Sequence, residues 1–91
     1  MNELPLSEVE VAIEKMHGFH PILLRRVEVR EQFSGRSVWE GEVLIFSAAG
    51  GSPKCYAWST DGRVTAVLHG GPVDSPEAAV RAAITAEHRR A

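Results

Sequence analysis

The chain has few of the features that would narrow its function quickly. Cys55 is its one cysteine, which excludes an intramolecular disulfide and a multi-cysteine zinc site. Apolar runs such as Val43–Phe46 are far too short to span a bilayer. The first residues lack the basic start and apolar stretch of a secretory signal. These absences predict a cytoplasmic protein with no membrane segment.

The sequence also lacks an excess of positive charge. Its net charge is −2, whereas phosphate contacts make duplex-DNA binders basic. Metal ligands are equally sparse: His17 and His20 have a ligand-like spacing, but Gly18 and Pro21 interrupt the helix that would hold them together. We therefore expect no metal and no cofactor, and the charge balance argues against a nucleic-acid partner.

What is present fits one globular domain covering residues 1–91. The 91 residues are 44% hydrophobic and 24% charged, which is ordinary for a soluble domain with its own core. Ser7 and Glu10 have the spacing of a capping box, and Val9 and Ile13 lie on one face of the helix that follows. Gly18 is suited to the helix end.

The last element has equally clear helix signals. Ser75 is placed to cap a helix, Pro76 occupies its first position and Glu77 lies in its first turn. Val80 and Ile84 recur at helical spacing and indicate its buried face. The sequence therefore predicts a helix at each end of the domain.

Four strands are predicted between the helices. Ile22–Gln32 and Ser37–Phe46 alternate, and pairing them so that apolar residues meet sets Val27 opposite Val43 and Arg30 opposite Glu40. Asp61-Gly62 separates two further alternating runs and is a strong signal for a two-residue hairpin. We predict an α+β domain in the order helix, four-stranded antiparallel meander, helix.

Side-chain parity across the second hairpin suggests where the helices pack. One face of these strands carries small and aliphatic residues, namely Cys55, Ala57, Val64, Ala66 and Leu68. Small side chains let a helix approach closely, so the sequence predicts a two-layer arrangement with both helices on this face. The opposite face would then carry an apolar group that consists of Leu44, Phe46, Tyr56, Trp58 and Val67.

An exposed apolar group rimmed by polar residues is typical of an interface. Curvature of the sheet or a loop could cover it, and so could a second copy of the chain or another partner. We expect a non-catalytic interaction module, a homodimer or a protein-binding domain, with Trp58 and Tyr56 as anchors because these residue types are enriched in binding hot spots.

Two alternative functions use other chemistry. A single-stranded nucleic-acid binder would stack bases on Tyr56 and Trp58 and hold phosphate with Lys54 and Arg63. A small anion or ligand could instead bind the loop at 69–75, which precedes a helix N-terminus.

A catalytic function has weaker support. Cys55 and His69 are the first nucleophile–base pair to consider, but the hairpin register places them on opposite faces of the sheet. Cys55 is better explained as a buried core residue. We therefore predict no catalytic residues and no enzymatic activity.

Overall fold

The computed structural model describes residues 5–49, 51–60 and 62–90. Its elements, in chain order, are α1 (Leu6–His17), β1 (Ile22–Phe33), β2 (Arg36–Ser47), β3 (Cys55–Thr60), β4 (Arg63–Leu68) and α2 (Pro76–Arg90). The strands form one open antiparallel sheet in the order β1-β2-β3-β4. The predicted α+β class and the meander between two helices are confirmed.

The register of the first hairpin is also confirmed. Val27 lies opposite Val43 and Arg30 opposite Glu40. The ladder shifts between Leu23 and Arg25, so Leu24 forms a β-bulge. Hydrophobic alternation was sufficient here because a slip by one residue would have moved every valine to the other face.

The second hairpin follows its turn signal. β3 ends at Thr60 and β4 begins at Arg63, and Gly62 has the positive φ of 79° that a tight turn requires. Asp61 lies outside the described residues. Tyr56 lies opposite Val67, as the two-residue turn predicts.

Matching the predicted apolar faces of β2 and β3 sets Leu44 opposite Tyr56 and Phe46 opposite Lys54, and the observed register differs from this prediction by one residue. Leu44 lies opposite Ala57 and Phe46 opposite Cys55, instead of opposite Tyr56 and Lys54. No tight turn determines this register, because residues 48–53 connect the two strands through a longer loop. Since side chains alternate between faces, this single step moves every side chain of β3 and β4 to the opposite face relative to β1 and β2, while the pairs between β3 and β4 stay as predicted.

That step has a large consequence for the layers. One buried cluster contains Val43, Ile45, Tyr56, Trp58 and the α2 residues Ala79 and Val80. The other contains Leu44, Phe46, Cys55, Ala57 and the α1 residues Val9 and Ile13. The helices therefore cover opposite faces of the sheet, and the prediction that both lie on one face is wrong. The domain has three layers, with the sheet in the middle.

The two helix starts also differ in how well they were predicted. Ser75 caps α2 as expected, because its Oγ accepts the Ala78 N–H at 3.1 Å. α1 starts earlier than the capping box suggests: its N-cap is Pro5, whose carbonyl accepts the N–H groups of Glu8 and Val9. The predicted capping box is therefore wrong, because the helix has already begun when the chain reaches Ser7. Gly18 ends α1 with a φ of 76°, as predicted.

Candidate functional site

The residues predicted to form an exposed interface do not lie on one surface. Leu44 and Phe46 are buried on the face that α1 covers. Tyr56 and Trp58 are buried on the face that α2 covers, and Val67 packs partly buried against them. The predicted apolar outer face is therefore absent from this fold, because α2 occupies the place in which a partner was expected. Bases likewise cannot stack on Tyr56 or Trp58, which are 1% and 5% exposed.

Tyr56 has a polar partner that links the sheet to the loop before α2. Its hydroxyl is 2.7 Å from Nδ1 of His69, within hydrogen-bonding distance. Burial and the nearby Asp74 carboxylate raise the pKa of Tyr56, and Arg25 opposes this effect. The phenol therefore stays protonated at neutral pH and serves as a hydrogen-bonding group instead of a nucleophile.

Cys55 lies away from this pair, as the parity of the hairpin predicts. It is fully buried on the α1 face, whereas His69 is bonded to Tyr56 on the α2 face. Burial raises the pKa of the Cys55 thiol to about 11. A thiol that stays protonated in the core is a poor nucleophile, so this placement agrees with a packing role.

The loop at 69–75 is organised by its own backbone. Gly70 and Val73 exchange hydrogen bonds of 2.9 and 3.0 Å. The Ala78 N–H, which an anion at the helix start would need, already donates to Ser75. Asp74 and Glu77 add negative charge there. These features disfavour the anion site that the sequence offered as an alternative.

The sheet has two edges, and the β4 edge is partly capped. His69 donates its N–H to the Lys54 carbonyl at 2.8 Å, and hydrogen-bonded and free positions alternate along an antiparallel pair. The Ala66 carbonyl therefore points away from β3. His17, at the end of α1, donates from Nε2 to this carbonyl at 3.1 Å. One polar group of the β4 edge is thus satisfied by a side chain.

The β1 edge is longer and more open. β1 has 12 residues against six in β4. Arg26, Glu28 and Arg30 are exposed along it, on the same face of the sheet as α1. Within the described parts of the chain, no side chain or loop is hydrogen-bonded to the outer backbone of β1. An edge of this kind is a template for pairing with another strand.

The charges on this edge are incompletely paired. Arg30 contacts Glu40 at 2.8 Å, and Arg26 contacts Glu42 at the longer distance of 3.4 Å. Glu28 lies directly opposite Glu42, a like-charge pair across the ladder. Among the described residues Glu28 has no ion-pair partner. It is therefore the acid on this face that a partner could neutralise.

Sequence reasoning missed the contact between the two tryptophans. Trp39 and Trp58 meet edge to face with ring centroids 5.6 Å apart. Alternation along β2 predicts that Trp39 shares a face with Val43 and Ile45, which the structure confirms, but the predicted β2–β3 register placed Trp58 on the opposite face. The available signal was that both faces of β3 are apolar while two amphipathic helices flank the sheet, which favours one helix on each face.

Comparison with known proteins supplies no relative. Neither family models, nor curated proteins, nor solved structures gave a match to this chain. In the part of the chain that the structure describes, neither helix has the length and apolar character to cross a bilayer. The same residues contain no group of three or more His, Cys, Asp or Glu side chains arranged to hold a metal ion.

Proposed function

We propose that this chain is a non-catalytic interaction module that pairs with a second copy of itself along the edge of β1. The supporting observation is the contrast between a long, exposed β1 edge and a β4 edge that is short and capped by His17. Antiparallel pairing of two β1 strands would join two four-stranded sheets into one of eight strands. A two-fold axis through this contact is the commonest symmetry of soluble oligomers.

The charge pattern of β1 favours a second copy as the partner. With the two-fold axis at Val29, each Glu28 lies opposite Arg30 of the partner copy, and with the axis at Val27 it lies opposite Arg26. With the axis at Glu28, the two glutamates would face each other and Arg26 would face Arg30. The alternating charges are thus favourable in the registers centred on Val29 and Val27 and unfavourable in the register centred on Glu28.

The energy source differs from the one that the sequence indicated. An apolar face would contribute through buried area, whereas this edge contributes through main-chain hydrogen bonds and cross-strand pairs. A net hydrogen bond contributes about 0.5–1.5 kcal/mol and a favourable cross-strand pair about 0.2–1 kcal/mol. We therefore expect a concentration-dependent dimer that weakens as salt screens the charge pairs.

Light scattering across a concentration series tests the proposal directly. The expected mass rises toward twice that of the monomer. Glu28→Arg should raise the dimer dissociation constant at least tenfold, because each attractive pair becomes repulsive. The double variant Arg26→Glu with Arg30→Glu should weaken self-pairing similarly. An equimolar mixture of the two variants should restore the dimer, since a positive edge then meets a negative one.

Arg63→Glu provides the matched control, because it reverses one exposed charge on the β4 edge. It should leave the dissociation constant within about twofold of the parent value, and circular dichroism should show every variant folded. A wild-type chain that stays monomeric at millimolar concentration would refute the proposal. So would a mixture that dimerises no better than its separate components, or a control that acts as strongly as Glu28→Arg.

A further inference from the structure

A cleft opens where β2 and β3 separate. The two strands pair only from Leu44 to Phe46, opposite Cys55 to Ala57, although β2 reaches back to Arg36 and β3 continues to Thr60. A cavity of about 290 Å³ occupies the gap. This volume is near the lower limit for small-molecule sites, which are about 300–1,000 Å³.

The floor of the cleft is aromatic. Trp39 and Trp58 both line it, and their edge-to-face contact spans the gap on the α2 side. The Trp39 indole lies across Gly41, where an added Cβ would come within 3.1 Å of the ring. Glycine at this position therefore lets the ring close the floor, and the cleft opens toward the α1 side.

The walls on the α1 side combine apolar and acidic groups. Leu6 and Val9 of α1 and Leu44 of β2 supply the apolar part. The polar side carries two carboxylates, Glu40 and Glu42, against one guanidinium, that of Arg26. The lining charges sum to −1, so the cleft favours a cation over an anion.

Glu42 has the least satisfied charge of this lining. Arg30 contacts Glu40 at 2.8 Å, whereas Arg26 approaches Glu42 only to 3.4 Å. Charge-assisted hydrogen bonds are typically about 2.7–2.9 Å long, so the Arg26–Glu42 contact is a weak one. Glu28 across the ladder adds further negative potential at Glu42. A carboxylate accepts several hydrogen bonds at once, so Glu42 retains capacity for a second donor.

We propose that this cleft binds a small organic cation with a flat apolar body, an arylalkylamine in its simplest form. The ring would lie against the half-buried Trp39 and the apolar residues of α1, and the ammonium would donate to Glu42. Indole faces and edges favour such a ring, and a cation near an indole is favourable as well. The site shares Arg26 with the β1 edge, but its walls come from one copy of the chain and do not require self-association.

The test uses the two tryptophans as reporters, because they are the only tryptophans of the chain and both line the cleft. Phenethylamine is titrated into the full chain while tryptophan emission is recorded. The neutral 2-phenylethanol and the anionic 3-phenylpropionate have similar shapes and serve as matched probes. We expect a saturable change with phenethylamine and at least tenfold weaker binding of both other probes.

Two variants locate the carboxylate. Glu42→Gln should weaken phenethylamine binding at least tenfold. Glu14→Gln removes an exposed carboxylate of α1 that contacts His20 and does not line the cleft, and should change binding less than twofold. The proposal is overturned if phenethylamine gives no saturable change. It is also overturned if the neutral or anionic probe binds equally well, or if the two variants behave alike.

Discussion

The two faces of the sheet divide side-chain volume between helix and strand in opposite ways. On the α2 face the large side chains belong to the sheet, with Tyr56 and Trp58, and the helix contributes the small Ala79. On the α1 face β3 contributes the small Cys55 and Ala57, and the helix contributes the larger Ile13. All six side chains are at most 5% exposed.

This contrast shows how each face obtains the helix that fits it. Protein interiors are packed to a nearly constant density, so the indole and phenol rings of β3 leave limited room for the helix, and α2 fills it with the small Ala79 and the medium-sized Val80. An alanine-rich helix suits that face and leaves voids on the other. Complementary side-chain volumes therefore account for the position of α2 beside the aromatic residues. The sequence predicted the opposite face for α2, because small side chains on a sheet let a helix approach closely.

Removing side-chain volume from the face that α2 covers should have the largest effect on stability. Trp58→Ala should lower the free energy of unfolding by about 3–5 kcal/mol, because α2 cannot collapse into the space left by the indole. Urea denaturation measures the effect. Val38→Ala, at a position 50% exposed on β2, should cost less than about 0.5 kcal/mol. Similar costs for both variants would contradict the packing of α2 on Trp58.

A change of pH tests the small-residue face. The pKa of Cys55 is about 11 in the folded chain and 9.0 as the ordinary value, so the unfolded thiol ionises first as pH rises. The native state then binds more protons than the unfolded state, and stability falls with increasing pH. The stabilisation from the buried neutral thiol is therefore fully present below pH 9, and the free energy of unfolding should fall by roughly 2–3 kcal/mol as the pH rises to 11.

Cys55→Ala isolates the thiol in that measurement. Urea unfolding of parent and variant at pH 8, 9, 10 and 11 should show a steeper alkaline loss in the parent. Ionisation of lysine and tyrosine is common to both chains and cancels in the difference. Parallel curves would show that burial of Cys55 does not resist its ionisation.

The hydrogen bond between Tyr56 and His69 should contribute a smaller amount to stability than the packing of Trp58. Tyr56→Phe keeps the ring but removes the hydroxyl that pairs with His69, and should cost about 0.5–1.5 kcal/mol at neutral pH. Because the pKa of Tyr56 is raised in the folded chain, the variant should also lose less stability than the parent above pH 10. Equal stability of both chains would show that the Tyr56–His69 contact contributes nothing.

Local signals predicted most of the elements but not all of their assembly. Gly62 determined the second hairpin, and the alternation around Val27 and Val43 determined the first, because both depend on neighbours in sequence. The cleft could not be predicted in this way. It exists because β2 and β3 pair over three residues and then separate, and no short motif describes that divergence.

The order of helices and strands, the registers of the two hairpins and the burial of Cys55 follow from the amino-acid sequence, since propensity, turn chemistry and alternation act over a few residues. The β2–β3 register, and with it the face of the sheet that each helix covers, depends on packing between residues that are distant in sequence. The loop between β2 and β3 does not determine their register, so the register that is adopted depends on how the side chains of the sheet pack against the two helices.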